Sequence, residues 1–301
     1  MLHSWFYGIV MVCLLFSCRN RSSTGVDDEF SFTDTFEVAD SFGIHQEVME
    51  DIIENLASPV EIAGLLDKIN APFSNTYLAS TDYLDDYNTT FKKAVALGVF
   101  GADLGYLNMY NINNTVLDYL SAVKSLADDL KVGQFFDFNT LKRLATNSEN
   151  LDSLMFLSVR SFNQMDQYLR ENKRGHLSSL IMGGLWIEGM HLATQVAKTS
   201  PHPDLYNRIG EQKIVIPDLL ALLGRYRKDP KFDTLFADLE NVKNSFDKVN
   251  ISYEVGEPQM IEKGGKLIFI QNETSHVEMP DTLLQEITLK IEDLRNQLIG
   301  I

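Results

Sequence analysis

Leu177–Ala193 reads LSSLIMGGLWIEGMHLA, and a second stretch, Ala94–Leu107, reads AVALGVFGADLGYL. Both are apolar almost all round at helical spacing, which places each at the centre of a bundle rather than on its surface. Neither holds the roughly 18 uninterrupted apolar residues of a membrane span. In the second, Gly98, Ala102, Gly105 and Met109 recur at steps of four, three and four on one face. Glycine costs about 1 kcal/mol per helical position against alanine, so this density needs a reason, and close approach of another helix supplies one.

Around these two segments the 3.6-residue period continues. Ser58-Pro59-Val60-Glu61 has the form of a helix start, and Asn70-Ala71-Pro72 of its end. The apolar spacing predicts helices over about Asn88 to Asn111, through Val116, Leu120, Val123, Ala127 and Leu130, and through Leu151, Met155, Ser158, Phe162, Met165 and Leu169. It predicts others from about His176 to Lys198, and from Asp229-Pro230 through Phe232, Phe236, Leu239, Phe246 and Val249. The texture then changes. Ile251–Val255 alternates like a strand, Lys263-Gly264-Gly265 reads as a turn, Lys266–Gln271 as a second strand and Val277 as the start of a third. Leu284, Ile287, Ile291, Leu294 and Leu298 form the seam of a last helix, expected to dock on the body. The fold expected is an all-α multi-helix bundle over residues 44–250, with a small C-terminal β-hairpin and closing helix over 251–301.

The chain has 301 residues, 26 Lys+Arg against 42 Asp+Glu, and a net charge of −16. Such an acidic chain lacks the Lys and Arg that phosphate contacts need, so no nucleic acid is expected as partner. Its first 18 residues contain no Asp, Glu, Lys or Arg, and Trp5–Phe16 is a run of apolar residues too short to span a bilayer. The run ends in Leu15-Phe16-Ser17-Cys18, which resembles the lipobox of bacterial lipoproteins. The resemblance implies a signal peptide over 1–18, lipidation (a diacylglyceryl group, then acylation such as palmitate) at Cys18, and a membrane held through that anchor. It departs from the usual pattern in the missing n-region Lys and Arg and in the bulk of Phe16; the alternatives are an ordinary secretory signal or a short uncut anchor. Residues 19–43 read as an acidic flexible tether: between Ser22 and Asp67 stand twelve acidic residues and no Lys or Arg. With Cys13 discarded and Cys18 lipidated, no thiol remains for a cysteine nucleophile, a redox pair or a thiolate metal site.

Each apolar central helix carries one carboxylate. Asp103 shares its face with Val99, Tyr106 and Tyr110, and Glu188 lines up with Gly184, His191 and Gln195. A charge in a core must be paired or hydrogen-bonded. Asp103, Tyr106, Tyr110, Glu188, His191 and Gln195 are therefore expected to form either a buried polar network or a pocket facing a ligand. Glu188-x-x-His191 has the spacing of a di-iron ligand pair, but the only other such pair, Glu273-x-x-His276, falls in the strand region. No metal and no cofactor are implied, since no zinc helix motif, phosphate loop, nucleophile elbow or dinucleotide fingerprint occurs. Asp152-Ser153-Leu154, Asp233-Thr234-Leu235 and Asp281-Thr282-Leu283 resemble the O-glycosylation triplet of exported Bacteroidota proteins, although Asp and Ser/Thr also suit helix first turns.

The stretches FKKA at Phe91–Ala94, GVFGADLGY at Gly98–Tyr106, YLSAVK at Tyr119–Lys124 and GGLWIEG at Gly183–Gly189 resemble an uncharacterised helical lipoprotein family of Bacteroidota. The likeness spans about residues 85 to 200 and implies compartment and helical build, with no activity or assigned site. In that frame Arg19 after the cysteine, where an acidic surface-export signal would stand, implies an outer-membrane anchor facing the periplasm. The function expected is a lipid-anchored, periplasm-facing binding or scaffold protein of the cell envelope, with an unknown protein or small-molecule partner. The alternative is a hydrolase-like envelope enzyme using Asp103 or Glu188 between the central helices.

Overall fold

The computed structural model describes residues 65–145, 151–256, 259–263, 266–270 and 273–300. The signal, the tether and the Ser58–Glu61 helix start lie outside the described residues. The helices are α1 (Thr90–Met109), α2 (Asn113–Asp129), α3 (Phe138–Ala145), α4 (Leu151–Glu171) and α5 (Gly175–Thr199). They are followed by α6 (Pro203–Glu211), α7 (Ile216–Gly224), α8 (Pro230–Phe246) and the closing α9 (Asp281–Ile299). Between α8 and α9 stand strands β1 (Asn250–Val255), β2 (Gln259–Lys263), β3 (Lys266–Ile270) and β4 (Glu273–Glu278). The architecture is the expected helical bundle with a hairpin and a closing helix.

The two apolar segments are the paired centre. α1 and α5 pack along their length, and α5 also meets α4, α6, α7 and α9. Glycine makes the pairing possible. A Cβ on Gly98 would stand 2.0 Å from the Ile181 carbonyl oxygen, and one on Gly184 would stand 2.2 Å from that of Val95. The two backbones touch where any side chain would wedge them apart. Trp186, fully buried on α5, satisfies its indole N–H by donating to Gln212 Oε1 at 3.1 Å.

Helix ends follow local chemistry. The Thr89 hydroxyl caps α1 by accepting from Lys92 N, and Asp229 caps α8 by accepting from Lys231 N, with Pro230 in the first turn. The turns after the 65–68 helical segment, α1, α2 and α4 use Asn70, Asn111, Lys131 and Lys173 in the left-handed region. Helices α3, α6 and α7 are short, and the long apolar spacings of the sequence do not mark them.

The hairpin is longer than three strands. β1 pairs with β4 from Asn250↔Glu278 to Val255↔Glu273, and β2 pairs with β3 from Gln259↔Ile270 to Lys263↔Lys266, offset by one residue from the outer ladder. Gly264 and Gly265 of the expected turn lie outside the described residues. The base of the ribbon sits on α6: a Cβ on Gly210 would meet Val277 Cγ1 at 2.3 Å, and the Ser275 hydroxyl donates to Glu211.

Between the 65–68 helical segment and α1 runs an irregular strap, residues 71–89, with two short 3₁₀ turns at Asn75–Tyr77 and Thr81–Asp86. Its first 3₁₀ turn lies against α5 and its second against α2. Ala79 at its middle is fully buried, so its backbone must find partners inside the protein.

Candidate functional site

The carboxylates of the two central helices meet under this strap. Asp103 and Glu188 are both 0 % exposed. Across from them α9 inserts Arg295, 5 % exposed, which donates from Nε to Glu188 Oε2 at 2.9 Å and from Nη2 to Glu188 Oε1 at 3.0 Å. This two-pronged pair is the strong form of a guanidinium–carboxylate contact. The same Nη2 also donates to the Tyr77 carbonyl at 3.3 Å, joining α9 to the strap.

Asp103 serves the strap directly. Its Oδ2 accepts from Ala79 N at 3.0 Å, while the Ala79 carbonyl accepts from the Tyr119 hydroxyl of α2 at 2.6 Å. One turn along α1, the Tyr106 hydroxyl accepts from Ser74 N at 3.2 Å. Both main-chain groups of the buried Ala79 are thus satisfied by side chains of neighbouring helices.

Asp103 Oδ1 faces no N–H or hydroxyl donor among the described residues; its neighbour is the Glu188 carboxylate. Two acceptors can share such a contact only through a proton. Burial, then the Glu188 charge, holds the Asp103 carboxyl well above the usual carboxylate range. Burial also raises Glu188, but its bonds to Arg295 pull the other way. Of the two, Asp103 is the carboxyl that burial and its neighbour favour in the neutral form, while Glu188 is the one paired with the Arg295 guanidinium.

The surrounding groups stay neutral near pH 7. Burial and the Arg295 charge push His191 down to about 4, and burial pushes the Tyr87 hydroxyl up to about 12. Burial raises Tyr106, Tyr110 and Tyr119 as well. Tyr110 packs edge-on against Tyr106 with ring centres 4.9 Å apart, and both rings meet Phe73 of the strap.

The structure brings together Asp103, Tyr106, Tyr110, Glu188 and His191 of the six residues singled out from sequence. Gln195 stands apart at the rim: it accepts from Lys198 Nζ at 3.3 Å and donates to Glu292 at 3.4 Å. Sequence reasoning missed Arg295, Tyr119 and Tyr87. The first had a legible signal, since Arg295 falls four residues after Ile291 and eight after Ile287, on the apolar seam of α9. A charge at a seam position needs a buried counter-charge.

Away from the cluster, an open groove is lined by Pro201, His202, Pro203, Tyr206, Asn207, Val277 and Met279, beside the ribbon base; none of the six candidate residues lines it. Among the described residues, no three His, Cys, Asp or Glu side chains gather as a metal site requires, and no helix is long and apolar enough to cross a membrane. No known protein-family model, curated protein or solved structure matches the chain.

Proposed function

We propose that this chain is a lipid-anchored, periplasm-facing binding or scaffold protein of the bacterial cell envelope, attached to the outer membrane through Cys18. The observation that carries the scaffold reading is the commitment of its two central carboxylates. Both oxygens of Glu188 are taken by Arg295, and Oδ2 of Asp103 by the strap, with the strap and α9 lying over the pair. A general acid or base must reach the atom it protonates, and these groups are spent on the protein itself. The anchor reading is supported by the apolar run ending in Leu15-Phe16-Ser17-Cys18. Multiple acyl chains, at about 0.8 kcal/mol per buried methylene, would hold an acidic body that anionic lipid headgroups repel.

The test has two arms. Cys18→Ser should shift the protein from the membrane to the soluble fraction and abolish labelling by a clickable fatty acid. Unlabelled wild type with unchanged fractionation would refute the anchor. Capture of the tagged wild-type protein from native envelopes, with identification of what co-purifies, addresses the partner. Turnover of an envelope substrate that Glu188→Gln abolishes without unfolding the protein would replace the scaffold reading by the enzymatic one.

A further inference from the structure

We propose that the end of the bundle where α5 begins is a lipid-facing pole: its cations seat the body on an anionic phospholipid surface and fix which way the anchored protein points. The inference rests on the membrane attachment proposed above. Six helix ends meet at this pole, the starts of α1, α5 and α8 and the ends of α2, α4 and α7. Phe91 of α1 packs edge-on against Phe232 of α8 with ring centres 5.7 Å apart, Phe232 meets Tyr226 at 5.3 Å, and Tyr226 meets His176 of α5 at 6.0 Å. A Cβ on Gly175 would stand 3.1 Å from both Arg170 of α4 and the Tyr226 hydroxyl. Arg174, just ahead of α5, donates to the Leu130 carbonyl at the end of α2 at 2.9 Å.

Around this aromatic centre the charge of the chain reverses sign. The stretches 90–93, 128–131, 166–176 and 225–233 hold ten Lys and Arg against six Asp and Glu, in a chain that has 26 against 42. Adding Asp85 and Asp86, where the strap runs into α1, leaves the balance positive. Three of the acids are met inside the pole: Lys93 pairs with Asp129 at 2.6 Å, Arg170 with Asp166 at 2.9 Å and Arg227 with Asp233 at 2.8 Å. Lys92, Lys131, Lys173, Lys228 and Lys231 are exposed. The body as a whole is acidic, but at 0.1 M salt charges more than about 10 Å away are largely screened. α5 alone, with 25 residues, is about 37 Å long. The acidic far side therefore does not cancel the pull of an anionic leaflet on the lysines of the pole. These cations are spread over six helix ends around a common centre, which suits an extended sheet of phosphates.

The pole settles what an anchor alone leaves open. The described chain begins at the opposite end of α5, where Lys68 donates to Asp204 of α6 at 2.8 Å. Residues 19–64, at roughly 3.3 Å each when extended, can reach several times the length of α5. An anchor at Cys18 therefore lets the body turn either end to the membrane, and the charge of the pole selects one. Seated on it, the molecule holds the groove at Pro201 and Tyr206, with the ribbon base beside α6, away from the lipid.

Lysine acylation footprinting tests the pole, on the full lipidated chain in vesicles of phosphatidylcholine alone or with about a third phosphatidylglycerol. At 0.1 M salt the five exposed pole lysines should label about threefold or more slowly on the anionic vesicles than on the neutral ones, with Lys68, Lys198 and Lys243 unchanged. Salt near 1 M, where the screening length falls to about 3 Å, should erase the difference. Attachment to neutral vesicles reports the anchor and the difference between vesicle types reports the pole, so either reading can fail alone. In the unlipidated Cys18→Ser chain, changing Lys92, Lys131, Lys228 and Lys231 to Gln should lower binding to anionic vesicles about tenfold or more. The same loss of charge at Lys68, Lys198, Lys243 and Lys248 should leave it unchanged. Equal labelling on the two vesicle types, or equal loss of binding from the two lysine sets, overturns the proposal. A DNA duplex that slows labelling of the pole lysines where anionic vesicles do not would assign the pole to nucleic acid and overturn it as well.

Discussion

The charge count of the central cluster makes a sharp demand on a double-mutant cycle. Two carboxylates and one guanidinium sit together buried, and burial favours the neutral form of Asp103. Asp103→Asn removes the carboxylate that is already neutral. The amide reproduces both of its bonds, so the cost should be under about 1 kcal/mol. Glu188→Gln removes the anion and turns an amide N–H toward a guanidinium. Asp103 can then ionise in its place and keep one negative charge near Arg295, limiting the cost to about 1–3 kcal/mol. The double variant has no anion left, and Arg295 becomes a bare cation at 5 % exposure. An uncompensated buried charge costs about 3–5 kcal/mol. At the middle of these ranges the double variant should therefore lose about 1.5 kcal/mol more than the two single losses added, within the coupling seen between touching residues. Urea unfolding at pH 7, with slopes compared to check that all four proteins unfold alike, measures the cycle. Losses that add to within about 0.5 kcal/mol would show that the two carboxylates do not share one charge, and the reasoning above would fail.

Other substitutions address the packing and the acid limb. Gly98→Ala and Gly184→Ala each drive a Cβ into a partner carbonyl oxygen at 2.0 and 2.2 Å, so each should cost about 3 kcal/mol or more in thermal or urea unfolding. By contrast Gly105→Ala and Gly189→Ala, helical positions with nothing within 4 Å of the new methyl, should stabilise by about 0.5–1 kcal/mol. His191 is held neutral down to about pH 4 against an ordinary value of 6.5. The unfolded chain therefore binds that proton first, and stability should fall by about 3 kcal/mol as pH drops from 6.5 to 4. His191→Gln should flatten that part of the pH–stability curve, and an unchanged slope would assign the acid loss to other groups.

The helices at the centre were legible because their composition is unusual on every face, and such segments have one stable place in a helical bundle, its middle. The seam of α9 and the caps at Asp229 and Pro230 were legible for equally local reasons. The short helices α6 and α7 escaped because nine residues hold too few turns to establish a period against Pro203, Pro217 and the polar stretch Glu211–Lys213. The outer strand β4 was placed too late because Glu273 and Thr274 are polar on both sides of the alternation. At the cluster, spacing on one helix showed that Asp103 and Glu188 each needed a partner. It could not show that they would be each other's neighbours, since that depends on the register in which Gly98 and Gly184 let α1 and α5 meet. Nor could it reveal Ala79, whose contribution is main-chain and leaves no mark in the identity of the side chain.

That last point explains why an apolar centre carries acids at all. A strap in regular helix would satisfy its own main chain, and α1 and α5 could then be apolar throughout. This strap is irregular and buried at Leu78 and Ala79, so main-chain groups there must be met from outside, each at a cost of about 1–3 kcal/mol if left alone. Asp103, Tyr106, Tyr119 and Arg295 supply the partners for Ala79 N, Ser74 N, the Ala79 carbonyl and the Tyr77 carbonyl in turn. Arg295 brings a charge that must be neutralised, and Glu188 does so. The carboxylates, the guanidinium and the tyrosines thus follow one from another, starting from a segment that crosses the bundle without a secondary structure able to close its own hydrogen bonds. On this view shortening the strap, rather than mutating the acids, is what would make an all-apolar centre tolerable.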